Sequence, residues 1–188
     1  MKQLFGKTLL GVTLSLGLFS CVGTSSNGLA SLLDVKEMTD GDTITIQGMG
    51  HYNYRTLLQT KQIVEETYGV PTKIIDPIVL GPEFYIDGSI NSDKCLSDFD
   101  NDINKIIVTN ERCYSENMDD FIGGQGEMYG NIVIVGKNHS RDLKRVLIHE
   151  IGHNQGFRHC DNPNCVMSVN RVNDVNKLDF CENCKKNR

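Results

Sequence analysis

The chain has 188 residues, 39% of them hydrophobic and 23% charged, the composition of an ordinary water-soluble domain of one-domain size. Repeat arrays, collagen and disordered tails are excluded. Nineteen Lys+Arg against 24 Asp+Glu leave a net charge of −5, and the balance grows more acidic if the leader carrying Lys2 and Lys7 is removed, so no basic face is present for a nucleic-acid partner.

The chain opens with a basic n-region (Lys2, Lys7) followed by an apolar run over 9–19. That run is too short to cross a bilayer of ~30 Å, which needs about 20 helical residues, and it reads as a signal peptide. It ends in Leu18-Phe19-Ser20-Cys21, which resembles the bacterial lipobox, where the cysteine is lipidated and becomes the new N-terminus. The expectation is a signal peptide over 1–20, a lipid on Cys21, a flexible tether over 21–39 and a domain over 40–188, exported and held to a membrane of the bacterial cell envelope. The alternative is a conventional signal peptide cut nearby, with Cys21 left as a free thiol.

Along the domain, the β-branched run at 43–47 predicts a strand closed by Gly48-Met49-Gly50. The amphipathic spacing of Leu57, Leu58, Gln59, Lys61, Ile63, Val64 and Glu65 predicts a helix over 54–68, ended by Gly69 and Pro71. Further strands are expected at 73–75 and 105–109. The stretch 81–104 between them, dense in Gly, Asn and Asp, predicts a loop region. A weak strand at 121–124 and a firm one at 131–135 follow. Gly123-Gly124-Gln125-Gly126 lacks the lysine and helix start of a phosphate loop, which excludes a nucleotide site there. A last long helix is expected from about Ser140 as N-cap, with Leu143, Val146, Leu147 and Ile151 as its apolar stripe. This order implies an α/β domain with a mostly parallel sheet.

That last helix carries His149-Glu150-Ile151-Gly152-His153, then Gly156 and His159. Residues four apart on a helix lie one above the other, so His149 and His153 can reach one ion, with Glu150 beside them. Gly156 can take the left-handed conformation that ends a helix and returns His159 as a third ligand. A chance occurrence of the five-residue pattern HExxHxxGxxH in a chain of this composition is on the order of 10⁻⁵. Three imidazoles around Zn²⁺ leave a fourth position for a water whose pKa the ion lowers, with Glu150 as general base. His51 and His139 lie in predicted loops and read as solvated surface residues.

Cys160, Cys165, Cys181 and Cys184 form two close pairs that suit a tetrahedral structural zinc site, with two disulfides as the rival arrangement in an exported protein. Cys95 and Cys113, both in loop-rich sequence, are a possible disulfide. Met167 by itself is packing filler; after this zinc signature it stands where metzincins carry the methionine of a turn beneath the metal.

The string HEIGHNQGFRHC, followed by Cys165-Val166-Met167 and the closing Cys181-Glu182-Asn183-Cys184, resembles the archaemetzincins. Ile106-Ile107-Val108-Thr109 and Phe121-Ile122-Gly123-Gly124 are similar to that family's central and edge strands. The resemblance implies a compact metzincin-like domain with a mostly parallel twisted sheet, a backing helix, a zinc-ligand helix and a small C-terminal zinc-bound subdomain, divided into an upper part (40–155) and a lower part (156–188). It further implies catalytic zinc on His149, His153 and His159, Glu150 as base, a second zinc on Cys160, Cys165, Cys181 and Cys184, and a protein or peptide substrate. The interval between Met167 and Cys181 is shorter than in the family, so the lower part is trimmed. Two function classes are therefore expected: a membrane-tethered zinc metallopeptidase, or a zinc-stabilised lipoprotein that binds peptides with little or no turnover. A hydrolase acting on cell-wall peptide amides is a third possibility.

Overall fold

The computed structural model describes residues 43–99, 104–136, 142–169 and 178–186. The signal peptide, the tether, Cys21, His139 and Ser140 lie outside the described residues. Among the described residues no helix is long and apolar enough to cross a membrane.

The main sheet is built from β1 (Ile44–Met49), β2 (Thr72–Ile78), β5 (Lys105–Thr109), β8 (Gly124–Gly126) and β9 (Ile132–Gly136), in the order β2-β1-β5-β9-β8. β1 runs parallel to β2 and β5, β5 runs parallel to β9, and the edge strand β8 is antiparallel to β9. The central strands are buried on both faces, which is why they read as continuous β-branched runs. Alternation divides them cleanly. Ile106, Val108, Val133 and Val135 face one core, while Ile107, Ile132 and Ile134 face the other.

The first core is covered by α1 (Tyr54–Tyr68) and α3 (Leu143–Asn154). Asn53 caps α1 by accepting from the Arg55 amide, and Gly69, at φ 67°, closes it in the left-handed conformation that glycine favours. Leu57 and Val64 are buried, whereas Leu58, assigned to the apolar face by its spacing, is 46% exposed.

The stretch read as loop carries short elements. After a single turn of 3₁₀-helix at Pro82–Phe84 come β3 (Tyr85–Ile86), β4 (Ser89–Asn91) and α2 (Ser92–Asp98). With β6 (Cys113–Ser115) and β7 (Asp120–Ile122), β3 and β4 form a second sheet in the order β3-β4-β6-β7. Its residues and those of α2 contribute Ile90, Cys95, Leu96 and Cys113 to the second core. Strands of two or three residues are too brief for alternation to show in the sequence.

Below α3, Phe157 stacks on Phe180 with centroids 4.3 Å apart, and Met167 is fully buried beneath Gly152. A Cβ on Gly152 would lie 2.6 Å from the Met167 Sδ, so glycine is what lets the two segments meet. The last element, α4 (Glu182–Lys186), carries Cys184.

Candidate metal centres and active site

α3 starts at Asp142, not Ser140: the Asp142 carboxylate accepts from the amides of Lys144 and Arg145, 3.0 and 3.2 Å away, satisfying two of the donors that a helix start leaves open. Ser and Asp are both good caps, and the one two residues further along is used. The helix runs antiparallel to β9, because the Asn154 side-chain amide at its end donates to the Ile132 carbonyl at the beginning of that strand.

The end of α3 is a Schellman turn. Phe157 N–H donates to the Gly152 carbonyl (2.9 Å), Gly156 N–H donates to the His153 carbonyl (2.8 Å), and Gly156 sits at φ 88°. This reversal brings His159 back over the helix. Its Nε2 lies 3.1 Å from the Nε2 of His153, which is 3.2 Å from the Nε2 of His149. Four-coordinate zinc with bonds of about 2.0–2.1 Å holds its nitrogens roughly 3.3 Å apart, so this spacing fits a tetrahedral ion.

The ring orientations are fixed from behind. His149 Nδ1 is 2.8 Å from the Val166 carbonyl, and His153 Nδ1 is 2.8 Å from the Phe157 carbonyl. A carbonyl only accepts, so each Nδ1 carries the proton and each Nε2 presents a lone pair to the common point. Burial pushes the His149 pKa down to about 4 and lowers that of His153, keeping both rings in the neutral form that a metal requires.

Glu150 is buried, with 8% of its surface exposed. Burial raises its pKa to about 8, against the opposing effect of a hydrogen bond from the Gly126 amide. The carboxyl reaches β8 because that strand has no side chain on the α3 face. A Cβ on Gly126 would fall 2.4 Å from the Glu150 carbonyl oxygen, and one on Gly124 would fall 2.9 Å from the Glu150 Cγ. Gly123-Gly124-Gln125-Gly126 thus serves close approach between strand and helix.

The register of β8 sets which of its peptide groups are free. Gly136 N–H donates to the Gly123 carbonyl, and pairing continues as Gly124↔Val135, Gln125↔Ile134 and Gly126↔Val133. Alternation in an antiparallel ladder makes Gln125 a bonded position and turns the peptide groups of Gly124 and Gly126 away from β9. The Gly126 amide meets Glu150 there.

Cys160, Cys165, Cys181 and Cys184 also converge. The Cys160 and Cys181 sulfurs are 3.6 Å apart and those of Cys165 and Cys184 are 3.7 Å apart. Tetrahedral zinc with Zn–S bonds of about 2.3 Å spaces its sulfurs roughly 3.8 Å, whereas a disulfide needs about 2.05 Å. All four thiols are free, and backbone amides donate to them, Cys181 N–H to Cys165 Sγ and Asn162 N–H to Cys160 Sγ among them. The donor set therefore fits a metal.

The Cys95–Cys113 disulfide that the sequence left possible is not formed. Both thiols are free and fully buried in the second core, one on α2 and one on β6. Burial pushes each up to about 12, so they behave as small apolar side chains. His51 is exposed, and its peptide group, not its ring, makes its contacts, with the N–H donating to Glu111 Oε1 and the carbonyl accepting from Asn110 N–H.

Sequence reasoning missed the residues that hold this site from outside the zinc motif: Gly124 and Gly126, Asp142, the carbonyls of Val166 and Phe157, and the Asp93–Gln125 pair described below. Only the glycines left a signal, and it reads as a weakened strand.

The family model for peptidase family M54 matches residues 78–187, more than half of the chain. The archaemetzincin of Methanocaldococcus jannaschii is 29% identical over 165 residues, covering 76% of this chain and 90% of that protein. That of Haloarcula marismortui is 36% identical over 55 residues, covering 28% of this chain and 32% of that protein. Among solved structures, the archaemetzincin of Archaeoglobus fulgidus, complexed with malonate, superposes with a TM-score of 0.65 at 25% identity, over 78% of this chain and 99% of that one. The archaemetzincin of Methanopyrus kandleri has the same fold, with a TM-score of 0.61 at 22% identity over 77% and 92% of the two chains. The chain belongs to peptidase family M54 and is an archaemetzincin-like, zinc-dependent metallopeptidase.

Proposed function

We propose that the chain cleaves peptide bonds in proteins or peptides outside the cytoplasm, with His149, His153 and His159 as ligands of a catalytic zinc and Glu150 as the general base. The observation that carries this reading is the meeting of three Nε2 atoms beside a buried carboxyl. Zinc held there would polarise the scissile carbonyl and lower the pKa of a water. The chain's own residues do the remainder. The Val166 and Phe157 carbonyls orient two imidazoles, and the Glu150 carboxylate takes a proton from the attacking water and returns it to the leaving nitrogen. The free edge of β8 supplies peptide groups that can pair with an extended substrate.

A second, structural zinc would be held by Cys160, Cys165, Cys181 and Cys184, with Met167 packed beneath the first site. Residues 1–20 would be the signal peptide, 21–39 the tether from a lipid on Cys21 in the cell envelope, and 40–188 the catalytic domain, divided at 155/156 into upper and lower parts.

The test compares the zinc-loaded protein with Glu150→Gln on a peptide library. Turnover is expected to fall by roughly 10²–10⁴ while zinc content stays the same. Equal turnover by the two proteins would overturn the mechanism.

A further inference from the structure

β8 is an unusual edge strand. It has three residues, Gly124, Gln125 and Gly126, and glycine weakens any strand it occupies. Gln125 is its only side chain. On one face the absence of Cβ atoms lets α3 approach; on the other, Gln125 Nε2 donates to Asp93 Oδ1 at 2.6 Å.

Asp93 lies in the first turn of α2 and gathers donors from three separate segments. Besides Gln125, its carboxylate accepts from Ser115 Oγ on β6 (2.9 Å) and from the backbone N–H (3.1 Å) and side-chain amide (2.9 Å) of Asn117 in the turn that leads to β7. These partners are 22 to 32 residues away in sequence. A carboxylate held by neutral donors on rigid elements fixes their relative positions, since each lost bond to a charge is costly.

We propose that Asp93 is a positioning residue for the peptidase reaction: through Gln125 it holds β8 at the height at which the peptide groups of Gly124 and the carbonyl of Gly126, which face away from β9, meet an extended substrate. The inference rests on the peptidase reading for its effect on substrate, while the anchor itself is measurable without turnover. Asp93 touches neither substrate nor metal ligands. Its loss therefore loosens the fit of a long peptide without changing the grip on a small zinc-binding group.

The experiment uses full-length, zinc-loaded protein and the variants Asp93→Asn, Gln125→Met and their combination. Amide hydrogen exchange at Gly124–Gly126 is expected to quicken in each variant. KM for an extended peptide should rise about tenfold, the usual scale of one hydrogen bond to a charged group, with zinc content unchanged and kcat falling by less than KM rises. Affinity for acetohydroxamate, which is small enough to engage the metal alone, should stay at the wild-type value. The double variant should be no worse than the worse single one. Unchanged exchange at β8 overturns the anchor; a rise in KM matched by an equal loss of hydroxamate affinity, or no rise in KM at all, overturns the positioning role. A wild-type protein that cleaves no peptide fails the peptidase reading instead, and the exchange data then decide the anchor alone.

Discussion

His159 and Cys160 are consecutive residues whose side chains turn into two different ligand clusters, one of imidazoles and one of thiols. The Cys160 N–H also donates to the Met167 carbonyl (3.0 Å), and the neighbouring Val166 carbonyl orients His149. One short stretch of backbone therefore carries the geometry of both centres.

From this follows the outcome of Cys184→Ser. Zinc per chain should fall, the part of the fold around Phe157 and Phe180 should melt first, and the affinity of the histidine site should drop by about 10–100-fold, the usual effect of disturbing the groups that orient metal ligands. Elemental analysis, chelator competition and thermal unfolding check it. A variant that retains one zinc at full affinity would show the two centres to be independent.

Gly126→Ala probes the contact between β8 and α3. The added Cβ would lie 2.4 Å from the Glu150 carbonyl oxygen and 3.0 Å from Asn154 Oδ1. Helical backbone does not swing aside as a flexible side chain can, so strand and helix must separate. The expected cost is about 1–3 kcal/mol of stability, together with a fall in kcat, because the amide that meets Glu150 moves with the strand. Thermal denaturation and steady-state kinetics at constant zinc content read both. Wild-type kcat in this variant would mean that the strand shifts without disturbing Glu150.

Acid should loosen the Asp93 anchor. Burial pushes this carboxyl up, but the donors from Gln125, Asn117 and Ser115 outweigh it and hold the pKa below the usual 3.8. The folded state thus binds the proton less readily than the unfolded one. The stabilisation is complete above the unfolded value and is lost as pH falls through the folded one. Asp93→Asn should unfold at a lower temperature than wild type at pH 7, and the two melting curves should converge as pH falls through the lowered folded-state pKa of Asp93. A gap that stays constant from pH 7 to pH 2 would exclude the ionised carboxylate as its cause.

Much of the frame is legible in the sequence, for physical reasons that differ by element. The helix over 54–68 and the strand over 105–109 appear where the pattern places them, because a long amphipathic period and a run buried on both faces are strong signals. The mostly parallel α/β sheet follows from their order. Strands β3, β4 and β6 are too short to show a period, while β7 overlaps the weak strand expected at 121–124. β8 left only the signal of a weakened strand ending at Gly124, since Gly-Gln-Gly has little strand propensity and is held by α3 on one face and Asp93 on the other. The partners of Asp93 are single polar residues scattered between 115 and 125, and nothing in their spacing announces that they meet. Cys95 and Cys113 show the limit from the other side: pairing of cysteines is not encoded in their separation, and here both are core residues.

The glycines of β8 carry one more implication. The strand's sole side chain is turned toward Asp93, so a guest lying along the free rim meets peptide groups and no side chains from β8 itself. Such a rail grips the backbone of its guest and reads no residue identity through its own side chains.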